Sequence, residues 1–457
     1  MNAAIASESV AESLARRISA VTPENLPAPV RVRAEELVLD VAGLCVAARR
    51  SDYVQSLVEA WDGAGECTAL GHAGGFDAAG AAVINGTAAH GEDFDDTFEG
   101  GPVHAGAVVV PAVLAACERY HLGGAHALLG IAIGAETLCR LSLVVPKAIH
   151  RAGFHPTAVL GGMAATAAVG ASLELRPVQL VHALGIAGSM AGGIIEYLAE
   201  GAWTKRIHAG WAAQIGLRAA LMGKHGFVGP RTVFEGSHGL FYGFAHTPKG
   251  DFDALIGEFG ARWLLETLAF KPYACGTMAH PYIDCARRLA ADGVRAEEVV
   301  EIECEVGEGT VHRLWEPLAA KQAPPNAYAA KFSTPFCMAV GFVTGDAGLE
   351  AFTDQTAHDP KIRALAAKIR YKIDPQNPYP KRFTGHVRAT LRDGRVVEYR
   401  QDHFRGGPQE RLTPAELEHK FRRNVVFGGW TEERAESLSG VVRRLFDGSV
   451  NLGAFRA

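Results

Sequence analysis

The sequence predicts a mainly α protein: a large all-helical domain built from both chain ends, 1–268 and 408–457, and a smaller inserted α+β domain, 269–407. Three observations carry this reading. Apolar stripes at helical spacing follow one another through roughly the first 265 residues. Alternation with period two appears after Phe270, and helical signals return from Thr413 onward.

The first stripe is Val30, Ala34, Leu37, Val38, Val41, Leu44 and Cys45. Comparable segments lie near 105–120, 126–143, 157–173, 177–199 and 209–225. Gly and Ala recur inside them, and small residues let helix backbones approach closely, so these segments belong at the centre of a bundle. The stretch 152–173 is uncharged apart from His155 but rich in Ala and Gly, which reads as tightly packed buried helix rather than a membrane span. In the second region, Val300-Glu301-Ile302-Glu303-Cys304-Glu305-Val306 alternates apolar and acidic, the pattern of a strand with one wet face. Val387, Ala389 and Leu391 alternate with Arg388, Thr390 and Arg392. Asp393-Gly394 then supplies a tight turn and 395–400 returns, giving a hairpin. At the end, Thr413-Pro414-Ala415-Glu416 is a capping box with proline at the first helical position, and 431–446 is a second amphipathic helix.

Composition narrows the function. A formal net charge of -5 with scattered Lys and Arg argues against nucleic-acid partners, which need a basic face. The 8 cysteines form no C-x-x-C pair and sit in apolar runs, as buried free thiols of a reducing compartment do. Residues 1–18 lack an apolar secretory core. The expectation is a cytoplasmic protein with no membrane partner. G-x-x-x-x-G-K-[ST], H-E-x-x-H and G-x-S-x-G are all missing, and no strand–G-x-G-x-x-G–helix unit supports a nicotinamide or flavin site.

Two clusters carry chemistry. His90-Gly91-Glu92-Asp93-Phe94-Asp95-Asp96-Thr97-Phe98-Glu99 holds five carboxylates in eight residues. One reading is a solvated loop or helix start. An EF-hand fits badly, because its glycine at position six and glutamate at position twelve are missing. A competing reading is the D-D-x-x-[DE] pattern by which helical prenyl-diphosphate enzymes bind magnesium, although no second acidic motif is present. The other cluster is a set of cations beside Gly and Pro in uncharged surroundings: His104, His155, the run Thr204-Lys205-Arg206-Ile207-His208, and Lys271. Buried Lys and Arg need partners, so a cavity lined by such groups suits a polyanionic substrate, and histidine is well matched to proton transfer near neutral pH.

These segments resemble the MmgE/PrpD family, which includes 2-methylcitrate dehydratases, cis-aconitate decarboxylases and iminodisuccinate epimerases. The matching stretches are 91–97 with His104, 153–157, 204–211, 226–236, 271–281, Ala330-Lys331-Phe332-Ser333 and the capped helix from Thr413, in order over nearly the whole chain. The resemblance implies a homodimer, an all-helical domain from both chain ends, a smaller α+β lid and an active site between them. No ligand set has metal spacing and the acidic cluster has no facing acidic motif, so no metal or organic cofactor is expected. It carries the family's site onto Asp93, Thr97, His104, His155, Lys205 and Lys271. Two departures stand out. Decarboxylase members carry a histidine five residues after the lysine matching Lys271, where this chain has Gly276. The histidine matching His104 is usually followed by Pro and Ser, where this chain has Ala105 and Gly106. Both departures point away from decarboxylation.

The shared chemistry is removal of a proton α to a carboxylate of a small di- or tricarboxylic acid. The reading assigns His104 and His155 to proton transfer and Lys205 and Lys271 to carboxylates, with Arg206 and His208 beside them. Asp93 orients a histidine or shares in proton transfer, and Thr97 hydrogen-bonds the substrate. Dehydratase-like elimination is the leading reading. An epimerase or racemase of a dicarboxylic amino-acid derivative is the alternative, followed by a decarboxylase, a magnesium-dependent prenyl-diphosphate enzyme, and a catalytically silent binding protein on the same fold.

Overall fold

The computed structural model describes residues 7–101 and 103–457; the start of the segment searched for a secretory signal and Pro102, beside His104, lie outside the described residues. The chain is mainly helical and divides into two compact units. Unit 1 comprises Met1–Gly91, Asp95–Leu268 and Leu417–Ala457; unit 2 comprises Glu92–Phe94 and Ala269–Glu416.

Unit 1 is a helical assembly. Its long helices are Ala28–Ala48, Gly106–Tyr120, Gly124–Val144, Pro156–Ser172, Pro177–Met190 and Thr204–Lys224. Each coincides with a stripe read from the sequence. Helix Thr204–Lys224 packs on Pro156–Ser172 and on a further helix, Ala78–Gly91, which no stripe announced. Every residue of Ala78–Gly91 is buried, Asn85, Thr87 and His90 included, so its polar residues mark no solvent face to set a period. The segment expected to be helical over 177–199 is broken. Its helix ends at Met190, the chain turns through Gly192 and Gly193 (φ 119°), and only one further turn, Tyr197–Glu200, forms. Glycine at positive φ is the physical reason, since other residues pay sterically for that conformation.

Among the described residues one helix, Gly124–Val144, is long and apolar enough to cross a membrane, and 94% of its most apolar stretch is buried inside the protein. Helix Pro156–Ser172, within the Ala/Gly-rich stretch noted above, is buried at every position. All eight cysteines are free and buried.

Unit 2 is built on a four-stranded sheet. Its order is Ile369–Ile373, Val299–Val306, Gly385–Leu391, Val396–Gln401. The wet-faced strand pairs antiparallel with the first strand of the hairpin, Ile302 opposite Ala389. The hairpin turns at Gly394 (φ 87°), as Asp393-Gly394 requires. The parallel partner Ile369–Ile373, with Ile302 beside Ile369, was not foreseen. Helix His280–Ala291 covers the hairpin and packs on helix Thr334–Thr344. At the C-terminal end of unit 2 the capping box is formed: the Glu416 amide donates to Thr413 Oγ1 at 3.2 Å, and the Thr413 amide donates to Glu416 Oε2 at 2.8 Å.

The small-residue rule is met where helices Ala78–Gly91 and Thr204–Lys224 cross. A Cβ on Gly86 would lie 2.6 Å from Gly210 Cα, and one on Gly210 would lie 2.2 Å from Val83 O. Gly210→Ala should therefore lower the unfolding free energy by about 3 kcal/mol, the upper range for overpacking. Gly243→Ala, where nothing lies within 4 Å, is the control and should change it by about 0.5 kcal/mol or less. Chemical denaturation of both variants checks this; equal stabilities would contradict the close crossing.

Candidate active site

The acidic run is not a solvated face. Asp95 and Asp96 are completely buried and Asp93 nearly so, and burying charge requires specific partners. In unit 1, both Asp96 carboxylate oxygens accept from the first turn of helix Gly106–Tyr120: the Ala105 amide at 2.9 Å and the Gly106 amide at 2.7 Å. Burial and the neighbouring Asp95 push Asp96 up to about 8. Its backbone carbonyl accepts from His104 Nδ1 at 2.6 Å. A carbonyl only accepts, so the proton sits on Nδ1 and His104 Nε2 is the atom available for chemistry. Asp95 Oδ2 accepts from His90 Nδ1 at 2.6 Å and lies 3.5 Å from His104 Nδ1.

Around this pair unit 1 gathers a histidine cluster. His155 occupies the N-cap position of helix Pro156–Ser172, with its amide donating to Gly193 O at 2.8 Å. His208 lies on the second turn of helix Thr204–Lys224. Their Nδ1 atoms are 3.1 Å apart, a hydrogen bond in which one ring donates and the other accepts. The His90 ring centroid is 5.0 Å from that of His104 and 5.6 Å from that of His155. Tyr197 packs edge-on against both His155 and His208. Burial, then the charges of His90 and Lys205, push His208 down to about 4; the same causes with His208 and His104 hold His155 well below the usual imidazole range. Both rings are therefore neutral near pH 7 and able to accept a proton. A cleft of about 540 Å³ opens beside them, lined by Ala158, Gly193, Tyr197, Ile207, His208 and Trp211 among others.

Unit 2 has its own buried ion pairs. Lys271 is 1% exposed; its Nζ donates to Asp93 O at 2.8 Å and lies 3.4 Å from Asp93 Oδ1. Asp93 adopts a left-handed backbone (φ 56°). Lys331, also buried, donates to Glu92 O and Glu92 Oε2, both at 2.7 Å.

Of the residues singled out from sequence, unit 1 brings together His104, His155, His208 and Lys205. Lys205 is half-buried beside an exposed Thr204, so full burial is not what makes it a candidate; its charge on His155 and His208 is. Arg206 lies over the Tyr53 ring at 4.2 Å. Thr97 is buried in unit 1. Asp93 and Lys271 pair in unit 2. Sequence reasoning missed His90, Asp95, Tyr197 and Lys331. His90 and Asp95 stood in the quoted acidic run but were counted there as charge, not as a histidine–carboxylate pair five residues apart. His90, Asp95 and His104 set three donor atoms within 4.8 Å of one another, a spacing a cation could bridge. There both Nδ1 atoms already donate protons, which a cation would have to displace. With Asp96 turned onto backbone amides, the D-D-x-x-[DE] reading loses its second carboxylate.

Two family models match this chain: the MmgE/PrpD N-terminal domain over residues 12–253 and the MmgE/PrpD C-terminal domain over residues 273–443. Among curated relatives, a cis-aconitate decarboxylase-like protein of Aspergillus oryzae is 26% identical over 85% of this chain and 85% of its own length. The cis-aconitate decarboxylase of Aspergillus terreus is 25% identical over 96% of this chain and 93% of its own length. That of Homo sapiens is 29% identical over 80% and 76%.

The cluster makes a pH prediction. An unfolded His208 takes up a proton near the ordinary imidazole value of 6.5, whereas the folded one does so near 4. Between those values the unfolded chain binds the extra proton, so this residue's contribution to stability is lost as pH falls through the window. Imidazole NMR titration of the folded protein should place the His208 midpoint near pH 4. A midpoint above 6 would mean that the pair is solvated and the neutral-base account wrong.

Proposed function

The chain belongs to the MmgE/PrpD family, and on that premise we propose that it is a cofactor-free lyase. It takes a proton from the carbon α to a carboxylate of a small di- or tricarboxylic acid and expels a β-hydroxyl, in the manner of 2-methylcitrate dehydratase. The observation that carries this is the buried His155–His208 pair, held neutral beside the Lys205 cation. A buried neutral imidazole next to an ammonium is what carbon-acid chemistry needs: a base for the proton and a cation for the charge that develops.

The Cα–H bond breaks and its proton passes to His155. The electron pair spreads into the adjacent carboxylate, where Lys205 stabilises it. It then collapses to a C=C bond as the β C–O bond breaks. His104, whose Nδ1 proton stays on the Asp96 carbonyl and lies 3.5 Å from the Asp95 carboxylate, enters the step with a second proton on Nε2 and gives that one to the departing hydroxyl, which leaves as water.

Decarboxylation, the activity in the relatives' names, is the nearest rival. Gly276 stands where decarboxylase members carry a histidine. The next histidine, His280, does not take that place: it is fully buried, packs against Tyr273 and Phe404, and donates Nε2 to Cys275 O at 3.2 Å.

Proton NMR of a panel of citrate-like, aconitate-like and aspartate-derived acids incubated with the protein in D₂O tests the reading. Deuterium at the α-carbon with formation of an alkene is expected. Inversion without an alkene would make the chain an epimerase, loss of CO₂ a decarboxylase, and no incorporation across the panel would sink the proposal. With the active acid, Lys205→Ala should lower kcat/KM by roughly two to four orders of magnitude, as loss of a charge-stabilising donor does. Lys205→Arg should recover only part, because a guanidinium holds carboxylates in a flat fork. An insoluble Lys205→Ala with near-normal specific activity in its folded fraction would make Lys205 structural.

A further inference from the structure

His90 has no part in the proton transfers above, yet it sits at their centre. It ends helix Ala78–Gly91 and is 1% exposed. Its Nδ1 lies 2.6 Å from Asp95 Oδ2, with both side chains completely enclosed. Its ring is nearly parallel to that of His155, at 23° and 5.6 Å between centroids. Its Nε2 is buried and makes no hydrogen bond. An enclosed carboxylate is met here by an enclosed imidazole at hydrogen-bond distance.

The titratable and charged groups around this point come from four elements. His155 faces His90 from helix Ala78–Gly91, His104 from the turn before helix Gly106–Tyr120, Tyr197 from its one-turn helix, and His208 and Lys205 from helix Thr204–Lys224. His90 itself faces Asp95, His104 and His155.

We propose that His90, held by Asp95, is the positioning residue of the cluster: the pair keeps positive charge stacked on His155 and so maintains His155 and His208 as uncharged bases. His90 touches no reacting atom in this role. It acts through its neighbours, because a second positive charge 5.6 Å away is unfavourable in a buried site. After burial, His90 is the largest cause lowering both His155 and His208. The catalytic consequence rests on the lyase reading; the electrostatic one does not.

The test uses the full chain with its histidine rings ¹³C-labelled. His90→Asn keeps a donor at the Nδ1 position for Asp95 but carries no charge, and Asp95→Asn removes the carboxylate that meets His90. In both variants the NMR midpoints of His155 and His208 should rise by about one pH unit, and in His90→Asn the acid limb of α-deuterium exchange should move up with them while the high-pH plateau stays within a few-fold. Unchanged midpoints in a folded variant would overturn the proposal. Failure of both variants to fold would also overturn it, leaving the pair a structural contact. Loss of exchange at every pH with unchanged midpoints would make His90 a proton carrier itself. Shifted midpoints in a protein that exchanges deuterium with no acid would sustain this inference and sink the lyase reading instead.

Discussion

Two adjacent carboxylates, Asp95 and Asp96, are enclosed in unit 1 with no solvent to screen them. Burying one charge costs several kcal/mol unless it is paired, and two side by side oppose each other as well, so Asp96 keeps its proton up to about pH 8. The site geometry follows from how this is offset. Asp96 is answered by two backbone amides at the start of a helix, where the dipole favours negative charge. Asp95 is answered by imidazole. Each solution then sets a histidine: the Asp96 carbonyl fixes His104, and Asp95 fixes His90, which stacks on His155. A departure noted in the sequence acquires a physical meaning here. Proline after His104 would have no N–H for Asp96, whereas Ala105 has one. A Cβ at position 106 would lie 2.5 Å from Asp96 Oδ1, so glycine is what lets the carboxylate seat.

The same burial gives opposing pH terms. Asp96 is raised to about 8 from 3.8, so between those values the native state holds a proton that the unfolded chain has released, and its contribution to stability falls as pH rises. His208, lowered to about 4 from 6.5, contributes in the other direction. Between about pH 4 and 6.5 the two gradients oppose each other. The buried lysines of unit 2 follow a related logic. Lys271 was expected to need an anion and has one within the chain, in Asp93; Lys331, which the sequence reading did not single out, has Glu92. The five-carboxylate run is thus largely a set of internal counter-charges.

The strand and hairpin with alternating faces could be read because polar residues mark a period. Pro156–Ser172, buried at every position, was still legible from its long uncharged Ala/Gly-rich run. Ala78–Gly91, shorter and interrupted by Asn85, Thr87 and His90, was not, and it is the helix that carries His90. The strand Ile369–Ile373 is short and lies across a long connection from its parallel partner, so no local turn signal announced it. In the site, His104, His155 and His208 were legible as histidines in uncharged surroundings. His90 was masked by the acids around it, and Tyr197 by a helix that breaks at Gly192 and Gly193.

The central claim is that a neutral His155 removes the α-proton. It is tested most directly by His155→Gln, a ring-free residue that cannot accept the proton, with the substrate acid in D₂O. Deuterium incorporation at the α-carbon should fall by roughly two to four orders of magnitude, the range for loss of a positioned base, while calorimetric affinity for the acid stays within a few-fold. Incorporation at a rate near that of the unaltered protein would contradict the account and move the base elsewhere in the cluster.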